Sequence, residues 1–277
     1  MAVFVDVVFE LAGIPVCQWA RAESNRAVFQ CFVSKRWEAG SISDLLRRGL
    51  RESAPGAKVA IRRIRNEDWK ESWKAGFKTE RVSRRIVIKP TWEKPVRSSD
   101  ACVIEIDPGM SFGTGRHFTT RYCLRLIDRL ASRNRSATFC DLGCGSGILS
   151  IAAAMLGFTR VTALDNDAGA VRIARENAAR NGVGRLVKCS VADLARMRTS
   201  SVFDVVAANL DVATLSRFSR KISRMVSRKS SGQLVISGLT PPQYTVVKKL
   251  FEAQGFCEIH TAKSRTWQGG CFQRAHA

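Results

Sequence analysis

Cys140-Asp-Leu-Gly-Cys-Gly-Ser-Gly-Ile148 is the stretch that decides the fold, with Asp165 closing the next apolar run 22 positions beyond Gly143. Gly143, Gly145 and Gly147 follow a strand-like segment and open a helix near Ile148. Glycine serves such a place in two ways: the chain can turn sharply, and a ligand can approach the backbone with no Cβ in between. A dinucleotide-binding turn would read G-x-G-x-x-G and set the helix amino terminus against a pyrophosphate. Here the spacing is G-x-G-x-G, and Ile148 stands where the last dinucleotide glycine would fall.

Asp165 ends the run Val161-Thr-Ala-Leu-Asp165, where a carboxylate can accept both ribose hydroxyls of a bound nucleoside. A nucleoside without a pyrophosphate satisfies both features, and S-adenosylmethionine is the expected cofactor. Asp193, in Val191-Ala-Asp193-Leu, has two readings: an acceptor for the adenine amino group, or the cap of the following turn.

From about Arg116 onward helix and strand patterns alternate, which predicts an α/β domain whose mostly parallel sheet carries helices on both faces. Strands are predicted over 137–141, 160–165, 186–190, 203–208 and 232–238, and a helix over 169–181 that stops at Asn181-Gly182. Residues 1–66 read as a small α+β domain. Its strands fall over 3–9, 15–20, 27–34 and 58–64, around a helix led in by Ser41-Ile-Ser-Asp44 and carrying Leu45, Leu46 and Leu50. Residues 67–95 read as a helical linker in which Trp69, Trp73 and Phe77 lie four apart along one face. That stripe either packs against a neighbouring domain or lines a ligand. Pro90 and Pro95 bracket Trp92 in a segment expected to be irregular, and residues 96–277 form the cofactor-binding domain.

The 277 residues are 45% hydrophobic and 25% charged, the balance of a soluble globular protein and not of a disordered or fibrous one. No apolar run approaches the roughly 20 residues of a spanning helix. The amino terminus lacks a positive region and sets Asp6 inside its apolar run, so neither signal peptide nor membrane segment is expected. A cytoplasmic monomer is expected. Nine cysteines occur with no CxxC pair, and the three histidines, His117, His260 and His276, lie far apart. The expectation is reduced, packed thiols and no metal site. The net charge of +21 would attract a polyanion such as the ribosome or RNA, although basic residues spread along many segments can equally be solvated faces.

Asp107-Pro-Gly-Met-Ser-Phe-Gly-Thr-Gly-Arg-His-Phe-Thr-Thr120 then narrows the reading. This segment resembles that of the bacterial methyltransferases of large-subunit ribosomal protein eleven, the PrmA family. Similar to that family too are the W-x-x-x-W-x-x-x-F of Trp69, Trp73 and Phe77, the G-C-G-S-G-I-L of Gly143 to Leu149, and Asn209 at the end of the fourth strand. Leu234-Val-Ile-Ser-Gly-Leu239 and Trp267 follow it as well. The chain departs from the pattern at Phe118 (proline is usual), Arg116 (threonine is common), Asp211 (an apolar residue is usual), in a shorter amino-terminal module and in its basicity.

The resemblance implies a Rossmann-like, seven-stranded methyltransferase domain behind a small substrate-recognition domain. It implies that Thr120, Gly143, Asp165 and Asn209 bind the cofactor, and that the loop from Phe112 to Thr120, with Gly113 and Gly115, closes over its methionine end. With Gly145, Gly147 and Asp193 these complete the expected cofactor site. The implied function is transfer of methyl groups to lysine side chains or an α-amine of a protein, a ribosomal protein of the large subunit. The alternative is an RNA or small-molecule methyltransferase on the same fold.

Methyl transfer is an in-line displacement at a sulfonium carbon, so the site must align nucleophile and methyl group and exclude water. An amine nucleophile must also be neutral. Asn209 offers side-chain and backbone carbonyls to the attacking nitrogen. His117 either accepts a proton or orders the loop by hydrogen bonding. Asp211 is either the N-cap of a helix over 212–226 or an attractor for a cationic amine.

Overall fold

The computed structural model describes residues 16–20, 27–31, 40–44, 46–48, 58, 77–96, 98, 100–107, 115, 117–133, 136–198, 201–228 and 232–275. The chain separates into two compact units, residues 1–72 and 73–277. In the smaller unit β1 (Val16–Ala20) and β2 (Ala27–Cys31) pair antiparallel, with Val16 opposite Cys31. Residues 40–44 and 46–48 are helical. The strand expected over 3–9, all but Lys58 of the strand expected over 58–64, and Trp69 and Trp73 lie outside the described residues.

The larger unit is built on a seven-stranded sheet. Its strands are β6 (Thr138–Leu142), β7 (Arg160–Asp165), β8 (Val187–Val191), β9 (Val205–Asn209), β10 (Gln233–Leu239), β11 (Phe256–Lys263) and β12 (Gln268–Arg274). Their order is β11-β12-β10-β9-β6-β7-β8. Every pair from β8 to β10 is parallel, and β12 enters antiparallel between β10 and β11. The central strands β6, β9 and β10 are nearly continuous buried runs because both faces are covered. In β9 the pleat divides one run between two layers. Val205 and Ala207 join the core under α1 (Phe118–Arg133), α2 (Ile148–Met155) and α3 (Ala168–Arg180). Val206 and Ala208 face the opposite core, under α4 (Val212–Met225) and α5 (Pro241–Glu252).

Helix boundaries follow from side-chain chemistry. Asp167 caps α3 by accepting from Gly169 N, and Asp211 caps α4 by accepting from Thr214 N at 2.9 Å. Pro241 and Pro242 open α5, where a missing N–H leaves nothing unsatisfied. Thr240 N donates to the Gln243 side chain at 2.9 Å across the same turn.

The reading of residues 67–95 as a helical linker is corrected over its second half. Glu80–Arg81 is β3 and Ile86–Lys89 is β4, and with β5 (Cys102–Glu105) they form a three-stranded sheet. The physical reason is Ile86-Val-Ile: β-branched side chains prefer the pleat, and all three are buried. Ile86, Ile88, Ile104 and Ile106 share the core of α1 and α2. Arg85 fastens this sheet to α1, its Nε 2.6 Å from Asp128 Oδ1 and its Nη2 donating to the Ser132 hydroxyl at 2.6 Å. Among the described residues no helix is long and apolar enough to cross a membrane, and no cluster of three potential metal ligands occurs.

Gly147 shows how tightly the glycine turn is built. Its φ is +79°, and a Cβ there would lie 3.0 Å from Ala174 Cβ and 3.1 Å from Ala174 Cα on α3. Gly147→Ala is therefore expected to destabilise the fold by about 2–3 kcal/mol, from left-handed strain plus crowding against a helix backbone. A denaturation midpoint equal to that of the parent would show that α3 can retreat and that the contact is not tight.

Candidate functional site

The sheet order reverses between β6 and β9: β6 leads to β7 and β8 on one side, β9 to β10 on the other. In open parallel sheets the crevice at such a switch point, outside the carboxyl ends of the strands, is where ligands bind. The Gly143 to Gly147 turn leaves β6 there, and Asn209 ends β9 there.

The turn is held from below and from the side. Gly143, Gly145 and Gly147 all have positive φ, of 70°, 51° and 79°. Gly145 N donates to Asp165 Oδ2 at 2.9 Å, and Asp167 N donates to Asp165 Oδ1 at 3.0 Å. Each carboxylate oxygen thus retains acceptor capacity, since an ionised carboxylate offers about four lone-pair positions. Gly143 lies under Leu210, whose Cδ2 would be 2.3 Å from a Cβ on that glycine.

The opposite wall is polar and buried. Thr120, in the first turn of α1, is 1% exposed, and neither its hydroxyl nor Asn209 Oδ1 meets a hydrogen-bond partner among the described residues. Asn209 pairs with Ser237 across the β9–β10 ladder, so both side chains point toward α1. One turn beyond Thr120 the Cys123 thiol faces the Ser237 hydroxyl. Buried polar atoms without partners carry a desolvation penalty of about 1–3 kcal/mol each, which a ligand's polar groups would relieve. Gly238 keeps this wall in place: its φ is +89°, and a Cβ would lie 2.7 Å from Leu210 O and 3.1 Å from Asn209 Oδ1.

The remaining expected residues fall as follows. Phe112 and Gly113 lie outside the described residues. Gly115 is buried, and a Cβ on it would lie 2.4 Å from Ile88 Cδ1 and 3.0 Å from Ile148 Cδ1, so that end of the loop rests on the start of α2. His117 Nδ1 is 2.7 Å from the Thr119 hydroxyl and its ring meets Trp267 edge-on at 4.9 Å. Burial lowers its pKa, and both contacts order the end of the loop. Asp193 Oδ1 accepts from Ala195 N at 2.7 Å and Oδ2 is 3.7 Å from Arg196 Nε, the geometry of a turn cap. Asp211 is likewise engaged as a cap, by Thr214 N and the Thr214 hydroxyl.

A sequence model described as "Ribosomal protein L11 methyltransferase (PrmA)" matches residues 20–275. The chain belongs to the PrmA family. It is 38% identical over 232 residues to the ribosomal protein L11 methyltransferase of Pelobacter propionicus, covering 82% of this chain and 74% of that one. The protein of the same name from Syntrophomonas wolfei is 37% identical over 212 residues, 76% of this chain and 68% of its own length. The crystal structure of the ribosomal protein L11 methylase of Lactobacillus delbrueckii subsp. bulgaricus superposes with a TM-score of 0.60 at 28% identity, over 72% of this chain and 99% of that one. This PrmA-family chain is an S-adenosylmethionine-dependent methyltransferase on a Rossmann-like fold.

Asp141 is the feature of this PrmA-family site that motif reading passed over, although it stands inside the quoted stretch. It is fully buried beneath the turn and accepts from Ser150 N at 3.2 Å and the Ser150 hydroxyl at 2.8 Å. Burial pushes its carboxyl up to about 7, against the two Ser150 hydrogen bonds and with the Asp165 charge adding to the rise. The signal was an acid within an apolar strand, Cys140-Asp-Leu. A carboxyl whose folded pKa is raised contributes stability that is fully present below its unfolded pKa near 4 and is lost as pH climbs toward 7. Asp141→Asn is expected to flatten that decline, read as thermal midpoints at pH 5 and pH 8. A variant whose midpoint drops as steeply as the parent's would remove Asp141 from the account.

Proposed function

We propose that this enzyme transfers methyl groups from S-adenosylmethionine to amino groups, lysine side chains or an α-amine, of a ribosomal protein of the large subunit. It does so as a cytoplasmic monomer, and the names of its relatives supply the substrate class. The observation that carries the chemistry is the buried, unpartnered Asn209 Oδ1 beside the glycine turn. When bound, S-adenosylmethionine supplies an electrophilic methyl group on a sulfonium. Asp165 would hold its ribose hydroxyls, the Gly143 to Gly147 turn its nucleoside, and the Thr120 hydroxyl its methionine end. Asn209 Oδ1 would accept a hydrogen bond from the substrate amine. That contact fixes the direction of the nitrogen lone pair, and removal of the amine from water favours its neutral form.

Incubation with tritiated S-adenosylmethionine and purified ribosomes or total ribosomal protein, followed by nuclease or protease, tests the proposal. The label is expected to resist nuclease and to be released by protease, in a single large-subunit protein. Label released by nuclease instead would replace this reading with RNA methylation.

A further inference from the structure

Helix α4 carries one charge sign only. Between Val212 and Arg228 the sequence has Arg217, Arg220, Lys221, Arg224 and Arg228 and no acidic residue. Arg217, Arg220, Arg224 and Arg228 are exposed, and no carboxylate among the described residues pairs with any of them. Lys221 ties the helix to the neighbouring turn, donating to Leu194 O at 2.6 Å, which brings exposed Arg196 and Arg198 alongside. At the far end Arg274 Nη2 donates to Ser223 O at 2.5 Å, and the charge of Arg228 bears on it.

Like charges three and four residues apart destabilise a helix, and here Arg217, Arg220 and Arg224 follow one another at those spacings. The place of Arg224 in the last turn and the Phe218 ring under Arg217 offset this only in part; an anionic partner would offset it fully. Two observations identify the partner's chemistry. The stripe is nearly all arginine, whose planar fork suits phosphate. It also contains no exposed large apolar side chain, whereas a protein partner would need an apolar centre.

We infer that the outward face of α4 and the turn that follows it, from Arg217 to Arg228, is a docking surface for the phosphate backbone of RNA. Its placement serves the activity: α4 begins three residues after Asn209 and runs about 21 Å away from the site at 1.5 Å per residue. RNA lying on this face holds a protein bound to that RNA beside the mouth of the site. This deepens the proposed function and rests on it for that last consequence only.

The test is equilibrium binding of a fluorescently labelled 20-base-pair RNA duplex at several salt concentrations, which needs no methyl transfer and so is separate from the substrate assignment. Arg217→Gln/Arg220→Gln/Arg224→Gln/Arg228→Gln is expected to lower the slope of log K against log salt by about 3, near 0.7–0.9 per lost phosphate contact. At about 150 mM salt this amounts to a loss of tenfold or more in affinity. Removing four exposed arginines elsewhere, Arg129, Arg133, Arg172 and Arg185, is expected to change the slope by less than about 1. Unchanged cofactor affinity shows that the variants fold, and Arg220→Gln/Arg224→Gln, with half the effect, serves if the fourfold variant does not. The inference is overturned if the α4 variant keeps the parental slope or if the control loses as much. It is also overturned if polyglutamate of equal charge displaces the RNA at equal concentration, which would mark the face as one for acidic proteins.

Discussion

Asn209→Ala is expected to lower the methylation rate about 100-fold or more while leaving the protein at least as stable. The first part follows from positioning: a misplacement of about 1 Å of a reacting group is enough for a 100-fold loss, and the substitution removes the acceptor proposed for the substrate nitrogen altogether. The second follows from burial. Asn209 Oδ1 has no partner among the described residues, so its removal relieves a desolvation penalty of about 1–3 kcal/mol. Such opposition of stability and activity is characteristic of a residue kept for function. Single-turnover rates with saturating cofactor, beside thermal midpoints, measure both. A variant with parental rates would end the assignment of Asn209, and one that lost both rate and stability would make it a structural residue.

Asp165→Ala is expected to weaken S-adenosylmethionine binding about 100-fold or more. The carboxylate anchors Gly145 N and Asp167 N, and in the proposed site its remaining lone pairs would accept from the ribose hydroxyls. Hydrogen bonds to charged groups contribute about 1.5–3 kcal/mol each, so loss of two ribose bonds alone accounts for the effect. Asp165→Asn, which keeps the shape and one acceptor oxygen, is expected to lose about tenfold. Calorimetric titration decides the matter; an unchanged dissociation constant in the alanine variant would place the ribose elsewhere.

Much of this was legible along the chain. The strand expected over 160–165 matches β7, and the other four predicted strands of the sheet shift by no more than two residues. Four of these strands lie in the sheet's interior, where burial favours apolar runs and leaves little room for another reading, and the edge strand β8 shows the alternation of a half-exposed strand. The strand–glycine–helix motif also located the glycine turn. β3 and β4 were not legible, because Ile86-Val-Ile is too short to separate strand from helix by period. Ile104 and Ile106, which join it in one core, come 16 residues or more later. Asp141 went unassigned for a similar reason: its chemistry is created by burial, which spacing does not report.

The sequence by itself determined the fold class, the glycine turn, Asp165 at the next strand's end and the family. Each of these depends on local geometry: a period, a turn needing positive φ, or a strand terminus at a set distance. Only the tertiary structure decided that Asp193 and Asp211 cap their own turns. It alone showed that Asn209 and Thr120 present unpartnered polar atoms, that Asp141 is raised toward neutrality, and that the arginines of α4 stand together without carboxylates. These properties arise between residues far apart in the chain, through burial, desolvation and the charges that packing brings near or keeps away.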